Sequence, residues 1–574
     1  MQFKKLILMV SVLFLGLPQA CSHSFVSWPG MEDGFRGRLS KSPQAEAYET
    51  YLRSQILLNR GDEETARQYL DKAAQADPDS AFLQTELARY HLRRNNMAEA
   101  LEHAQQAVAK DPEEPEARLL TASILTALRR DQEAVVQYEK LLKAHPRHEE
   151  GLLFLGTMYA EEGRLEEALD VFQRLLEVKP GSHLSNYYLG RVLMDLGRLE
   201  KAENYLERAV EIKPDFVTAL GDLASVYEQL EEYDRAEEIY RRLIELNPER
   251  SMVKARLGRL YLQSKRPQEA KALFDEIMDL AGDPEKARLQ IGLIYFEQNR
   301  LDEAIEQFRL VLAKNPDSRQ ARFYLGVAYE EQGKFQEAAD EFQRMGPESD
   351  LFIESRLHLA YCLSELDEMD RAIELLEEAI RFKPGHPRLY LSLGALYEAR
   401  NKYDQARVWM ERGLVERPKN VELHFRLGVV LDQLDRKQET IERMRRVIEL
   451  DPEHADAYNY LAYTWAEMDE NLEEALEYAE RANSLKPDRG YITDTLGWIY
   501  YQMGEYETAL QYLQRAHSLD PEDPTIAEHL GDVYVKIGRL GEAIETYKRV
   551  LTLAPEKKAR IDKRIEELQQ RINE

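Results

Sequence analysis

Thiols, imidazoles and carboxylates are the side chains of this chain that could do chemistry, and their spacing decides what kind. Two cysteines, Cys21 and Cys362, are too few for a disulfide framework or a cysteine-rich metal site. Cys362 falls within a helical pattern, where a small buried apolar residue is expected; Cys21 directly follows an apolar run. Histidines come closest together in "HPRHEE", where His145 and His148 share a loop. His183, His386 and His454 recur at equivalent points further on, which reflects a repeating phase and not a set of metal ligands. The 105 carboxylates are spread throughout, so no general acid–base pair stands out. No GxxxxGK[ST], HExxH or GxSxG is present. These residues predict no catalytic centre, no metal site and no cofactor: a protein that binds and does not convert.

The first twenty residues differ in kind from the rest. Lys4 and Lys5 precede "LILMVSVLFLGL" (Leu6–Leu17), an apolar run too short to span a bilayer comfortably, and "PQAC" follows. This arrangement resembles the signal of a bacterial lipoprotein, with Cys21 as the acyl acceptor. Pro18 stands where that pattern has an aliphatic residue, and Leu17 lies one place further back. The resemblance implies a cleaved segment 1–20, a linker over 21–46 and a lipid on Cys21. Ser22 after the cysteine resembles residues that permit sorting to the outer membrane, so the expected location is its periplasmic side; an ordinary secretory signal would instead leave the chain soluble in the periplasm. Losing the two lysines takes the formal charge from −28 to −30. An acidic surface of this size repels nucleic acid, which needs a basic footprint.

Proline sets the beat for everything after that. Pro78, Pro112, Pro146, Pro180, Pro214 and Pro248 are each 34 residues apart, and the interval returns at Pro316, Pro384, Pro418 and Pro452, then Pro487, Pro521 and Pro555. Aligned on them, fifteen units start at 47, 81, 115, 149, 183, 217, 251, 285, 319, 353, 387, 421, 455, 490 and 524. One position holds Gly156, Gly190, Gly326 or Gly531, or else alanine, as at Ala88 and Ala224. Tyrosine (Tyr159, Tyr227, Tyr329, Tyr534) comes three residues later, and alanine (Ala168, Ala236, Ala338, Ala543) nine beyond that. Glycine inside a helix costs about 1 kcal/mol relative to alanine, so its return predicts a close helix–helix approach. A period of this size means one supersecondary unit stacked many times.

The Leu-Gly pairs, the tyrosine, the alanine and the closing proline resemble the tetratricopeptide repeat, an antiparallel helix pair. The resemblance covers about residues 47–557 and implies an all-α, right-handed superhelical solenoid, with 558–574 as a polar capping helix. "DLAGDPEKA" (279–287) and "RMGPESDLF" (344–352) break the pattern, and one extra residue lies between Trp465 and Ala475.

In that family the concave surface is lined by positions 2, 5, 9 and 12 of each first helix. Here these places are apolar from the eighth unit on: Leu289, Leu293, Phe296, Phe323, Val327, Leu357, Tyr361, Leu391, Phe425, Val429, Tyr463, Tyr491, Trp498 and Tyr501. Asp494, Glu528 and Asp532 join them near the C-terminal end, giving an acidic end suited to a basic or hydroxyl-rich ligand. The carboxylate-holding Lys/Asn/Arg clamp of some family members is not apparent. An apolar stripe over seven units predicts a groove for protein or peptide segments, in a scaffold that assembles an envelope complex. Aromatic and acidic residues also suit sugars, which keeps open a carbohydrate-binding lipoprotein of exopolysaccharide export. The regulatory half of a split enzyme is a third reading.

Overall fold

The computed structural model describes residues 42–573. Cys21, segment 1–20 and all of the expected linker up to residue 41 lie outside the described residues. Among the described residues there are 31 α-helices, from Pro43–Asn59 to Lys558–Asn573, and no strand. Thirty make the fifteen expected pairs; the last is the expected terminal helix. The first helix starts at Pro43, ahead of the expected 47. Ser42 caps it, its Oγ accepting the Ala45 N–H at 3.3 Å, and Pro43 sits in the first turn, where a missing N–H costs nothing.

The fifth repeat shows how the sequence dictates the pair. Ser182 Oγ accepts the Ser185 N–H at 3.2 Å and starts the helix His183–Asp195. Gly197, at φ +71°, turns the chain back. The second helix, Leu199–Ile212, buries Ala202, Leu206, Ala209 and Val210, and Pro214 follows it. A Cβ on Gly190 would stand 2.7 Å from Cγ of Leu206. At Gly326 the obstacle is Phe342, again at 2.7 Å, and at Gly428 it is Met444, at 2.6 Å. The interior glycine is therefore the point where a buried side chain of the second helix is driven against the first.

The recurring tyrosine joins one repeat to the one before. Tyr159 Oη donates to Glu139 at 2.6 Å, Tyr227 to Glu207 at 2.7 Å and Tyr397 to Glu377 at 2.9 Å, each glutamate lying on the preceding second helix. Arg164 and Arg235 lie 4.0 and 4.1 Å over the first two rings.

Each break in the pattern has a structural counterpart. The chain divides into two compact units between Gly282 and Asp283, where the proline beat fails. At 344–352 the second helix stops at Gln343, and the gap is packed: Met345, Ser349 and Phe352 are buried, and the buried Arg356 donates to the Met345 carbonyl. The extra residue near 469 is taken up in a turn with Asp469 and Asn471 at φ +52° and +50°.

Candidate functional site

The apolar stripe lies within the second unit, on its first helices. Leu289, Leu293, Phe296, Phe323, Val327, Leu357, Leu391, Phe425, Val429 and Tyr463 are half-buried, while Tyr361 and Tyr491 are exposed, at 48% and 42%. Phe323 meets Phe342 and His358 edge-on, at 5.9 and 5.5 Å. Phe425 lies 5.0 Å from the His454 ring and 6.3 Å from Tyr460. These rings are steadied from behind and keep part of their surface open. Tyr491 is the exception, because its hydroxyl donates to Asp456 at 2.6 Å.

Polar bonds from one first helix to the next run beside the stripe. Glu330 bonds His358 (2.8 Å), Glu398 accepts from Arg426 (3.0 Å), Asp432 from Tyr460 (2.9 Å) and Glu467 from the Trp498 indole (3.1 Å). In the first three, acceptor and donor are 28 residues apart. That spacing, a carboxylate at position 12 followed by a donor at position 6 of the next unit, was the signal sequence reasoning passed over. Glu330 also receives the Cys362 thiol at 3.6 Å. Burial and that carboxylate push the thiol up to about 12, so Cys362 is an inert core residue as expected. The loop histidines are local props: His148 and His454 cap helices by accepting the N–H of Gly151 and Ala457, both at 3.2 Å.

The C-terminal end of the stripe is built differently from expectation. Trp498 is 9% exposed, with Tyr501 stacked on it at 4.6 Å and the His529 ring at 4.0 Å. Asp494, 4% exposed, holds His529 Nδ1 at 2.9 Å. Burial lowers the affinity of His529 for its proton, but the Asp494 carboxylate outweighs this, and the net shift is upward. Glu528 is buried under Lys557 (3.2 Å), Arg560 (2.7 Å) and Arg564 (3.3 Å), and Asp532 binds Arg564 (2.8 Å) and the Tyr547 hydroxyl. Glu528 and Asp532 are thus neutralised by the terminal segment and Asp494 is taken up by His529, so these carboxylates are not set out for a basic ligand. Sequence pattern placed them on the right helices but could not show that residues 557–564 fold over Glu528 and Asp532 and that His529 meets Asp494.

Among the described residues no group of three or more His, Cys, Asp or Glu is placed to hold a metal ion, and no helix is long and apolar enough to cross a membrane. Clefts of about 400 and 540 Å³ open between second helices, around Arg322, Tyr329 and Glu341 and around Tyr159, Glu167 and Arg174. Their charges are largely paired, as Arg322 is with Glu341 at 2.7 Å and Arg164 with Glu167.

Family models match most of the repeat array. Family models described as tetratricopeptide repeat match residues 85–140, 133–183, 289–349 and 425–489, and 159–224, 193–260, 229–291 and 363–428. Further repeat models match 497–538, 51–80 and 526–557. A TPR repeat-containing protein of Pseudomonas aeruginosa is 26% identical over 155 residues, 27% of this chain and 26% of that protein's length. Among solved structures, yeast Tom70 aligns at 16% identity and TM-score 0.34, over 75% of this chain and 97% of its own. YrrB, described as a TPR protein with an unusual peptide-binding site, aligns at 22% identity and TM-score 0.30, over 33% and 96%. With the helix pair repeated fifteen times and the glycine, tyrosine, alanine and proline recurring at fixed places in most repeats, the chain belongs to the tetratricopeptide repeat family, whose arrays are protein–protein interaction scaffolds and generally not catalysts.

Proposed function

We propose that this protein is an envelope scaffold, anchored by a lipid on Cys21 to the periplasmic side of the outer membrane. It holds an extended segment of a partner protein along the first helices of repeats eight to thirteen. The carrying observation is the row from Leu289 to Tyr463, apolar and half-open through six repeats, with Tyr361 standing out of it. Rings fixed from behind by neighbours such as Phe342 and His454 offer contact area at low entropic cost, as binding anchors do. Trp498, the tryptophan of the stripe, has both faces covered and is lost as a platform for a sugar, while the half-open aliphatic side chains of Leu289, Leu357 and Val429 favour peptide over carbohydrate.

Two experiments test the two halves of this reading. Partners captured from crosslinked envelopes should be held less well by the Tyr361→Ala, Phe425→Ala variant, by about 2–4 kcal/mol in affinity, with helicity unchanged. Undiminished capture by the folded variant would remove the groove from the function. For the anchor, cells expressing Cys21→Ala should release the protein from the membrane fraction. If it is processed and sediments with membranes as before, the lipid is not on this residue.

A further inference from the structure

The two ends of the array are finished in opposite ways. In several interior repeats the sixth residue of a first helix stacks on the second helix of the preceding repeat: Phe154 on Tyr138 (5.9 Å), Tyr188 on Phe172 (5.1 Å) and His358 on Phe342 (5.3 Å). The tenth residue, one turn along the same face, is sealed in most interior repeats: Val192, Val226, Cys362, Val430, Ile499 and Val533 are all 0% exposed. In the first repeat these places are Leu52 and Ile56, exposed at 45% and 51%, with Tyr48 at 64% one turn before them. The residues are of the interior, stacking type, yet no second helix precedes Pro43–Asn59 among the described residues. The other end is closed. The helix Lys558–Asn573 turns Ile561, Ile565 and Leu568 inward and leaves Lys563, Glu566 and Glu567 outside.

From this asymmetry we propose that the N-terminal face is a self-association surface. Two copies of this chain pair first helix to first helix, antiparallel about Leu52, each continuing the other's stacking interface. The polar C-terminal helix offers no apolar face to receive the N-terminal one, so head-to-tail growth is blocked and association closes at two. Charge favours the same arrangement. Glu46 and Glu49 lie before Leu52, Arg53 and Arg60 after it, and all four are exposed, Arg53 also pairing with Glu49 of its own helix at 2.6 Å. Antiparallel pairing sets the acidic half of one helix against the basic half of the other. It also brings Leu52 onto Leu52 of the second copy and Tyr48 onto Ile56.

That register is directly testable by crosslinking. In the full chain carrying Cys21→Ala, the one remaining thiol is the buried Cys362. Adding Leu52→Cys should give a covalent dimer on mild oxidation. Tyr48→Cys alone should give little, and Tyr48→Cys with Ile56→Cys should restore it. By sedimentation the parent should have twice the chain mass, and Leu52→Asp should halve that mass with circular dichroism unchanged. Arg53→Glu with Arg60→Glu should weaken the dimer, which gives a second route if Leu52→Asp disturbs the first repeat. A parent that sediments as one chain overturns the proposal, whether its own residues 22–41 or another protein covers the stripe. So does a dimer that survives Leu52→Asp and the arginine changes, or crosslinking equally strong at all three positions.

Discussion

Tyr361 and Trp498 hold the same place, the ninth residue of a first helix, and meet opposite fates. Tyr361 is 48% exposed and touches Phe335 edge-on at 6.0 Å. Trp498 is 9% exposed, roofed by His529 at 4.0 Å and bonded to Glu467. Register is common to both; the sixth residue of the following first helix is not. After Trp498 that residue is His529, an imidazole held flat by Asp494, whereas after Tyr361 it is Ser392, which has no ring to lay over its neighbour. A position that faces the groove is open to a ligand only where the next repeat leaves it uncovered.

The largest expected effect separates these two residues outright. Trp498→Ala should destabilise the second unit by about 3–5 kcal/mol, the cost of emptying a filled aromatic site, and any loss of partner capture should follow the loss of fold. Tyr361→Ala should leave the thermal melt of that unit nearly in place and weaken capture. If both variants melt like the parent, Trp498 is not the structural residue its sandwich implies.

A smaller effect is expected from the pair that holds the roof in place. His529 has a raised proton affinity when folded, because the Asp494 carboxylate outweighs its burial. Unfolded, it titrates near the ordinary value of about 6.5. A group raised on folding contributes its full stability below the unfolded value and loses it as pH rises through the folded one. Stability of the C-terminal repeats should therefore fall from about pH 6.5 upward, by about 1 kcal/mol for the lost charge assistance of one buried hydrogen bond. In Asp494→Asn this dependence should flatten. A parent melt that does not move over this range, followed by circular dichroism, would show that His529 is neutral in the fold.

What the sequence made legible and what it hid have the same physical origin. The helix pairs could be read because residue size and backbone chemistry are constrained at fixed places: glycine or alanine where the helices meet, as at Gly190 beside Leu206, and proline where a second helix cannot continue. The groove row could be read for the same reason, since position fixes the helix face. Occupancy could not. Asp494, Glu528 and Asp532 look alike in the sequence as an acidic edge. Their state depends on His529, Lys557, Arg560 and Arg564, which reach them from other helices. Long side chains on a neighbouring helix decide such contacts, and a repeat pattern carries no record of where they point.

The smallest expected effect lies on the second-helix surface, where Glu374 and Glu377 sit one turn apart. Both belong to an ordinary charged face by sequence, and neither is part of the groove. Glu374 is exposed, whereas Glu377 receives the Tyr397 hydroxyl of the next repeat at 2.9 Å. Glu374→Ala should therefore change neither the melt nor partner capture. Glu377→Ala should remove one stitch between repeats and cost at most about 1 kcal/mol, again with capture intact. Tyr397→Phe should reproduce that loss, and adding it to Glu377→Ala should cost nothing further, because the two residues act through one bond. If Glu377→Ala instead weakens capture as Tyr361→Ala does, partners reach the second helices as well, and the contrast between open groove and sealed scaffold no longer describes how this array binds.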